Sequence, residues 1–349
     1  MNGLLLVNLG TPDAPTTAAV RRYLAEFLWD HRVLSMHPVP RALLLYGAIL
    51  PFRPAKSAEA YRQVWDPVTG SPLLHHSTTL TAAVRAALGQ DWTVALGMRY
   101  GKPGLAGALQ TLEDAGCERI FVQPLYPQYA SSSTGSTVER LMGLAAARPA
   151  TPNLSVLPEF YEDPDFIASF AEVARPRLEA FQPDHVLMSY HGLPEDQVKA
   201  TQLGAGGHCL SAPGCCDSIR TVNSRCYRAQ SFATTRALSA ALGLRPDQVT
   251  VSFQSRLGRT PWIKPYTDML LPELAAKHKR LAVMCPSFVS DCLETLEEIG
   301  VRAKEEYAAL GGSLELIPCP NSSPRWVQAL ADRARRAAGL SPSVPRASA

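Results

Sequence analysis

The stretch Leu4-Leu5-Leu6-Val7-Asn8-Leu9-Gly10-Thr11-Pro12 decides the fold. Its apolar residues run without helical spacing and stop in Gly-Thr-Pro, as in a buried strand that ends in a turn. The pattern returns at 94–98, 120–125, 185–190, 249–253, 281–284 and 314–317. Amphipathic stretches at 17–29, 77–88, 105–115, 166–181, 229–242, 292–310 and 325–338 separate these runs. Strands alternating with helices of ~10–15 residues predict βαβ units and parallel sheets. Seven such strands fit two open α/β domains better than one barrel. The proline-bearing stretch 148–152 is the expected boundary, and the Ser/Pro/Ala-rich tail 341–349 is expected to be disordered.

Composition agrees. At roughly 150 residues per domain, 349 residues suggest two domains. A chain with 46% hydrophobic and 19% charged residues can bury a core, which excludes wholesale disorder. The balance of 34 basic and 31 acidic side chains argues against a nucleic-acid partner. The N-terminus lacks the basic region and cleavage site of a signal peptide. The longest apolar run, 42–50, is too short to span a bilayer needing ~20 residues. A cytoplasmic location is therefore expected, with cysteines read as thiols or metal ligands before disulfides.

Ligands of open parallel sheets sit beyond the carboxyl ends of the strands. The residues there are Gly10-Thr11, Arg99-Tyr100-Gly101, Tyr126-Pro127-Gln128-Tyr129, His191-Gly192-Leu193-Pro194, Gln254-Ser255-Arg256 and Pro286-Ser287-Phe288. None forms a dinucleotide or P-loop glycine motif. Aromatic rings, arginines and hydroxyls suit a flat apolar molecule carrying a few anionic groups. His191 either caps a turn or accepts a proton near pH 7. The remaining histidines read as surface or turn residues. Asp291 can cap the helix that follows it, and Glu297 is expected to face water. Glu294 and Glu298 lie four apart on one helical face, either solvated or placed to move protons or a divalent cation. Residues 35–52, SMHPVPRALLLYGAILPF, read either as a core helix or as an exposed apolar lip for a membrane surface or a greasy ligand.

Nine motifs in order then resemble one family, the ferrochelatases, which insert Fe²⁺ into a porphyrin in the last step of protohaem synthesis. They are LLLVNLGTP (4–12), FLWDHRV (27–33), LPFRPAKSAEAYRQVW (50–65), GSPL (70–73), LGMRYGKP (96–103), QPLYPQYASSSTGS (123–136), SYHGLP (189–194), SFQSRLGRTPWIKPYTD (252–268) and CPSFVSDCLETLEEIG (285–300). The resemblance implies two Rossmann-like, doubly wound α/β domains facing a central porphyrin cleft. The first would comprise residues 1–150, with the lip at 35–52, plus a C-terminal helix at about 321–340. The second would span 151–320. By the same resemblance, His191 and Glu294 form the metal-insertion site, and Glu298 continues a path for protons or metal. Arg302 interrupts the acidic line that the family often extends. Arg53, Tyr61, Ser71, Arg99, Tyr100, Tyr126 and Ser132 are implied to line the porphyrin pocket. A tyrosine commonly stands at the position of Leu9 in the coproporphyrin-using branch, so protoporphyrin IX is the implied substrate, Fe²⁺ its partner and protohaem the product. A non-catalytic tetrapyrrole or haem carrier on the same fold is the runner-up, and a chelatase acting on coproporphyrin or another tetrapyrrole a third reading.

The main departure from the family is an insertion at about 202–231. It holds Cys209, Cys215, Cys216 and Cys226, half of the chain's eight cysteines, within 18 residues. Some ferrochelatases carry a [2Fe–2S] cluster on four thiolates. The animal enzymes use other positions, one of which is occupied here by Ser131. The resemblance therefore implies a [2Fe–2S] cluster on these four residues, with structural zinc and free thiols as alternatives. Cys117, Cys285, Cys292 and Cys319 read as core or pocket-wall residues.

Overall fold

The computed structural model describes residues 1–204, 206–258 and 260–342. Strand β1 (Asn2–Thr11) lies between β2 (Trp92–Gly101) and β3 (Arg119–Pro124), with β4 (Asn153–Val156) beyond β3, every pair parallel. The second sheet repeats that order. Strand β5 (His185–His191) is flanked by β6 (Val249–Gln254) and β7 (Arg280–Met284), and β8 (Ser313–Leu316) lies outermost.

Helices α1 (Thr17–Trp29), α2 (Pro38–Leu44), α3 (Leu50–Val64) and α4 (Pro72–Leu88) all fall between β1 and β2. They are followed by α5 (Leu105–Asp114), α6 (Ser136–Ala146) and α7 (Pro164–Phe181). In the second half come α8 (Glu195–Lys199), α9 (Tyr227–Leu242), α10 (Thr267–Lys277), α11 (Lys304–Ala309) and α12 (Pro324–Ala337).

Alternation along β1 explains why both faces of the first sheet are covered. Leu5 and Val7 pack with Leu105, Leu109, Leu112 and Leu141. Leu4 and Leu6 pack on the other face with Leu80 and Val84, in a cluster that continues through Phe160, Phe166 and Trp326 to Met188 and Tyr190 of the second sheet. The two sheets thus share a core, and each fully buried leucine contributes ~1.5–3 kcal/mol. Arg333 of α12 adds a partly buried ion pair with Asp163 and donates to the Gln123 side chain at 3.0 Å.

The lip is helical. Strand β1 leads through α1 into α2, a π-turn (Leu45–Ile49) and α3. Leu45 and Leu50 are buried against Leu28, while Val39, Leu43 and Phe52 are 62%, 71% and 78% exposed. The exposed alternative therefore describes this segment's outer face, and the core-helix alternative its inner one.

Five elements lie outside the expected stretches: β4, α6, α8, α10 and the part of α3 beyond the lip. Strand β4 is unmarked in the sequence because its four residues lie at a sheet edge and only half bury themselves. It pairs with β3, so the first sheet continues past the boundary expected at 148–152. Helix α6 follows the serine-rich run 131–135, and α10 contains Pro272, a residue that disfavours a helix interior. The tail expected to be disordered, 341–349, falls mostly outside the described residues.

Candidate active site

Residues that follow the strands of the second sheet come close to the first half, where the Glu294 charge acts on Tyr61 and Tyr23. In the first sheet, Gly10 lets β1 and β2 approach at their carboxyl ends. Its φ is +116°, and a Cβ would stand 1.8 Å from the Tyr100 carbonyl oxygen.

In the second sheet β5 ends in His191, which is half-buried. Its backbone N–H donates to Ser287 Oγ at 3.1 Å, and its ring packs edge-on against Phe288. Nδ1 lies 2.6 Å from the carbonyl oxygen of Gly192, an acceptor only, so Nδ1 is the donor and, in the neutral ring, Nε2 carries the lone pair. Glu294 opens a ten-residue π-helix (Glu294–Ala303) that runs into α11. Wide turns of this kind recur at functional sites. The Gln254 amide donates to the Glu294 backbone carbonyl at 3.0 Å. The Glu298 carboxylate accepts from both the backbone N–H and the hydroxyl of Ser255. Burial raises the Glu298 carboxyl above its ordinary value, opposed by the Ser255 hydrogen bond and by His191, with Glu294 pushing the same way as burial. Glu298 therefore feels the charges of both His191 and Glu294.

The first half reaches the same point. Burial, reinforced by the Glu294 charge, holds the Tyr61 hydroxyl far above its usual value. Tyr23 responds to burial, Tyr61 and Glu294 in the same direction, and its hydroxyl donates to the Gly10 carbonyl at 3.0 Å. Ser71 is buried, donating to Thr11 Oγ1 at 2.8 Å. Tyr126 and Ser132 are half-buried and Arg53 is exposed.

Arg99 and Tyr100 stand differently from the pocket-lining role implied for them. Their polar ends are taken by Asp30, whose carboxylate accepts from Arg99 Nη2 at 2.6 Å, Tyr100 Oη at 2.9 Å and Ser136 Oγ. Asp30 caps the end of α1, five residues before the lip, and ties that end to β2 and α6. Its partners lie 69, 70 and 106 residues away, and only its place in FLWDHRV singles it out in the sequence.

Glu297 was expected to face water. Its side chain is only 12% exposed and is paired with Arg302 at 3.1 Å. The acidic line that stops at Arg302 thus stops in an ion pair. Asp291 is buried, accepting from Thr295, Asn321 and the Cys319 N–H, which fits the structural role open to it. His185 was expected at the surface but is buried and stacked on His278, ring centres 4.4 Å apart.

The four insertion cysteines are gathered but do not form a ready-made metal centre. Cys209, Cys216 and Cys226 are buried, and Cys215 is partly exposed. Contacts run from Cys209 to Cys226, from Cys226 to Cys216, and from Cys216 to Cys215, the last with sulfurs 3.7 Å apart. Arg228 Nη1 lies 3.1 Å from Cys216 Sγ. Among the described residues no group of three or more His, Cys, Asp or Glu side chains is disposed to hold a metal ion. The donor set has four-thiolate chemistry, while its arrangement is a chain of pairs.

Two four-stranded parallel sheets, with His191, Glu294 and Glu298 gathered at or after the strand ends of one and the phenols of Tyr23 and Tyr61 reaching Glu294 from the other half, define an α/β protein of two sheet units. The ferrochelatase family model matches residues 1–338. The chain is 46% identical over 340 residues to the ferrochelatase of Coxiella burnetii (strain Dugway 5J108-111), covering 97% of this chain and 94% of that one. It is also 46% identical over 330 residues to the ferrochelatase of Legionella pneumophila (strain Corby), covering 94% and 97%. SirB from Bacillus subtilis superposes with a TM-score of 0.49 at 11% identity, covering 98% of this chain and all of that one. The chain belongs to the ferrochelatase family.

Proposed function

We propose that the protein inserts Fe²⁺ into protoporphyrin IX, releasing two protons and yielding protohaem. The observation that carries this reading is that Gln254, in register with His191, donates to the Glu294 carbonyl while Ser255 beside it holds the Glu298 carboxylate, which brings the three residues together. Insertion must remove two pyrrolic protons from a planar ring whose lone pairs point inward. His191 Nε2, freed by the Nδ1 bond to Gly192, accepts a pyrrolic proton or briefly holds the iron. Glu294 stands next along the wall, and Glu298, whose burial favours the protonated form, passes protons outward or guides the metal in. Closing on the macrocycle and bending it costs ~1–5 kcal/mol, supplied by contacts remote from the metal. Tyr61, Ser71, Tyr126 and Ser132 supply ring and hydroxyl contacts. Arg53 is free for a propionate, whereas Arg99 and Tyr100 bind one only by leaving Asp30. Leu9 offers no donor atom to the metal, which favours protoporphyrin over coproporphyrin. The test is anaerobic metal insertion by the purified protein with each porphyrin. A carrier would bind the porphyrin without turnover.

The insertion thiols Cys209, Cys215, Cys216 and Cys226 would, once deprotonated, hold a [2Fe–2S] cluster. Four thiols in one nest beside the Arg228 cation support this reading. Such a cluster would supply an electron-transfer or structural centre. A visible absorption spectrum with iron and sulfide analysis tests it; a colourless, zinc-loaded protein contradicts it. No helix among the described residues is long and apolar enough to cross a membrane. The exposed face of 35–52 supports a peripheral membrane contact for a protein working in the cytoplasm and handing over a hydrophobic product.

A further inference from the structure

We propose that Ser255, with its neighbour Gln254, is the positioning device of the acidic wall, and that its hydroxyl sets how well metal enters. The inference rests on the reading of Glu298 as part of the metal or proton path. Gln254 ends β6, where its side-chain oxygen accepts from Ser189 Oγ at 2.6 Å and its amide nitrogen donates to the Glu294 carbonyl. The amide is therefore fixed at both ends and anchors the first turn of the π-helix. One residue on, Ser255 turns the chain with φ +66°, a left-handed conformation that disfavours non-glycine residues. That turn aims both its N–H, at 2.9 Å, and its hydroxyl at the two oxygens of Glu298. A glycine would make the turn without strain. What serine adds is a second donor, and the strained residue is found where the carboxylate needs orienting.

Ser255 does not touch the reacting atoms; it acts through Glu298. The strain separates its positioning role from a merely structural one. Ser255→Gly keeps the N–H donor and relieves the strain, while Ser255→Ala keeps both the N–H donor and the strain. Both lose the hydroxyl.

The experiment measures initial rates of insertion against metal and against porphyrin for wild type, Ser255→Ala, Ser255→Gly and Glu298→Gln, with a melting temperature for each. Loss of one charge-assisted hydrogen bond corresponds to about a tenfold effect. The expected result is a rise of about that size in the metal KM of both Ser255 variants, with kcat and the porphyrin KM little changed. Over the same pair the melting temperature should diverge, glycine lying above alanine. Glu298→Gln should raise the metal KM at least as far. If it does so while both Ser255 variants keep the wild-type metal KM, the positioning role is overturned and the reading of Glu298 stands. If the metal KM of the Ser255 variants follows their melting temperatures, the role is structural and the proposal is overturned. If Glu298→Gln leaves the metal KM unchanged, the underlying reading of Glu298 fails and the proposal with it.

Discussion

Replacing Asp30 with asparagine removes a charge that three other groups are built around. The Asp30 side chain is 5% exposed and that of Arg99 13%, with 2.6 Å between nitrogen and oxygen. Tyr100 Oη and Ser136 Oγ donate to the same oxygen, Oδ2. Taking away one partner of such a pair leaves a buried guanidinium without its counter-charge, which costs ~3–5 kcal/mol. Asparagine still accepts from Tyr100 or Ser136, so the lower end, ~3 kcal/mol, is expected. At ~2–4 °C per kcal/mol this lowers the melting temperature by roughly 6–12 °C. Burial pushes the Asp30 carboxyl up, but hydrogen bonds from Ser136, the Arg32 N–H and Tyr100, with the Arg99 charge, together hold it below its ordinary value. A depressed carboxyl contributes stability that is present above its unfolded value of ~3.9 and is lost as pH falls through the folded one. The stability difference between wild type and Asp30→Asn should therefore shrink below about pH 4. Calorimetry or circular-dichroism melts at pH 7 and at about pH 3 and below read both effects. A variant melting within about 1 °C of wild type at pH 7 would refute the reasoning, because a buried, unpaired guanidinium cannot cost so little.

Gly10→Ala should fail to fold or melt far below wild type, since its Cβ would overlap the Tyr100 carbonyl at 1.8 Å and its φ is +116°; a melt within a few degrees of wild type would contradict the packing described. The His185 imidazole is lowered to about 4, by burial first and then by His278. Its contribution to stability is thus present above the unfolded value of ~6.5 and lost as pH falls towards 4, a slope that His185→Gln should flatten in pH-dependent melts. Leu43→Ser with Phe52→Ser should weaken sedimentation with liposomes while leaving the melting temperature within about 1 °C, because both side chains are exposed; unchanged binding counts against the membrane role of the lip.

Most of the sheet framework was legible because buried parallel strands write short, largely apolar runs, and seven of the eight strands stood out in this way. The eighth, β4, is short, lies at a sheet edge and only half buries itself, so neither length nor alternation announced it. His191 was legible as the end of an apolar strand, and Glu294 and Glu298 as an i, i+4 pair, but their roles came from the family motifs. The π-geometry that brings Glu297 beside Arg302 was not legible, since helical spacing assumes α turns. Nor was the hold of Asp30 on Arg99, which depends on contacts about 70 and 106 residues away that only the folded chain creates. The cysteines declared their crowding but not their arrangement, which spacing alone does not encode.

The central claim is that His191 Nε2, left free by the 2.6 Å contact of Nδ1 with Gly192, does the work at the porphyrin centre. The most direct measurement compares Fe²⁺ insertion by wild type and His191→Ala under anaerobic conditions, with porphyrin binding followed in parallel by fluorescence quenching. Loss of a positioned general base predicts a fall in turnover of about 10²–10⁴-fold with porphyrin affinity retained. Wild-type turnover by His191→Ala with porphyrin still bound would contradict the account.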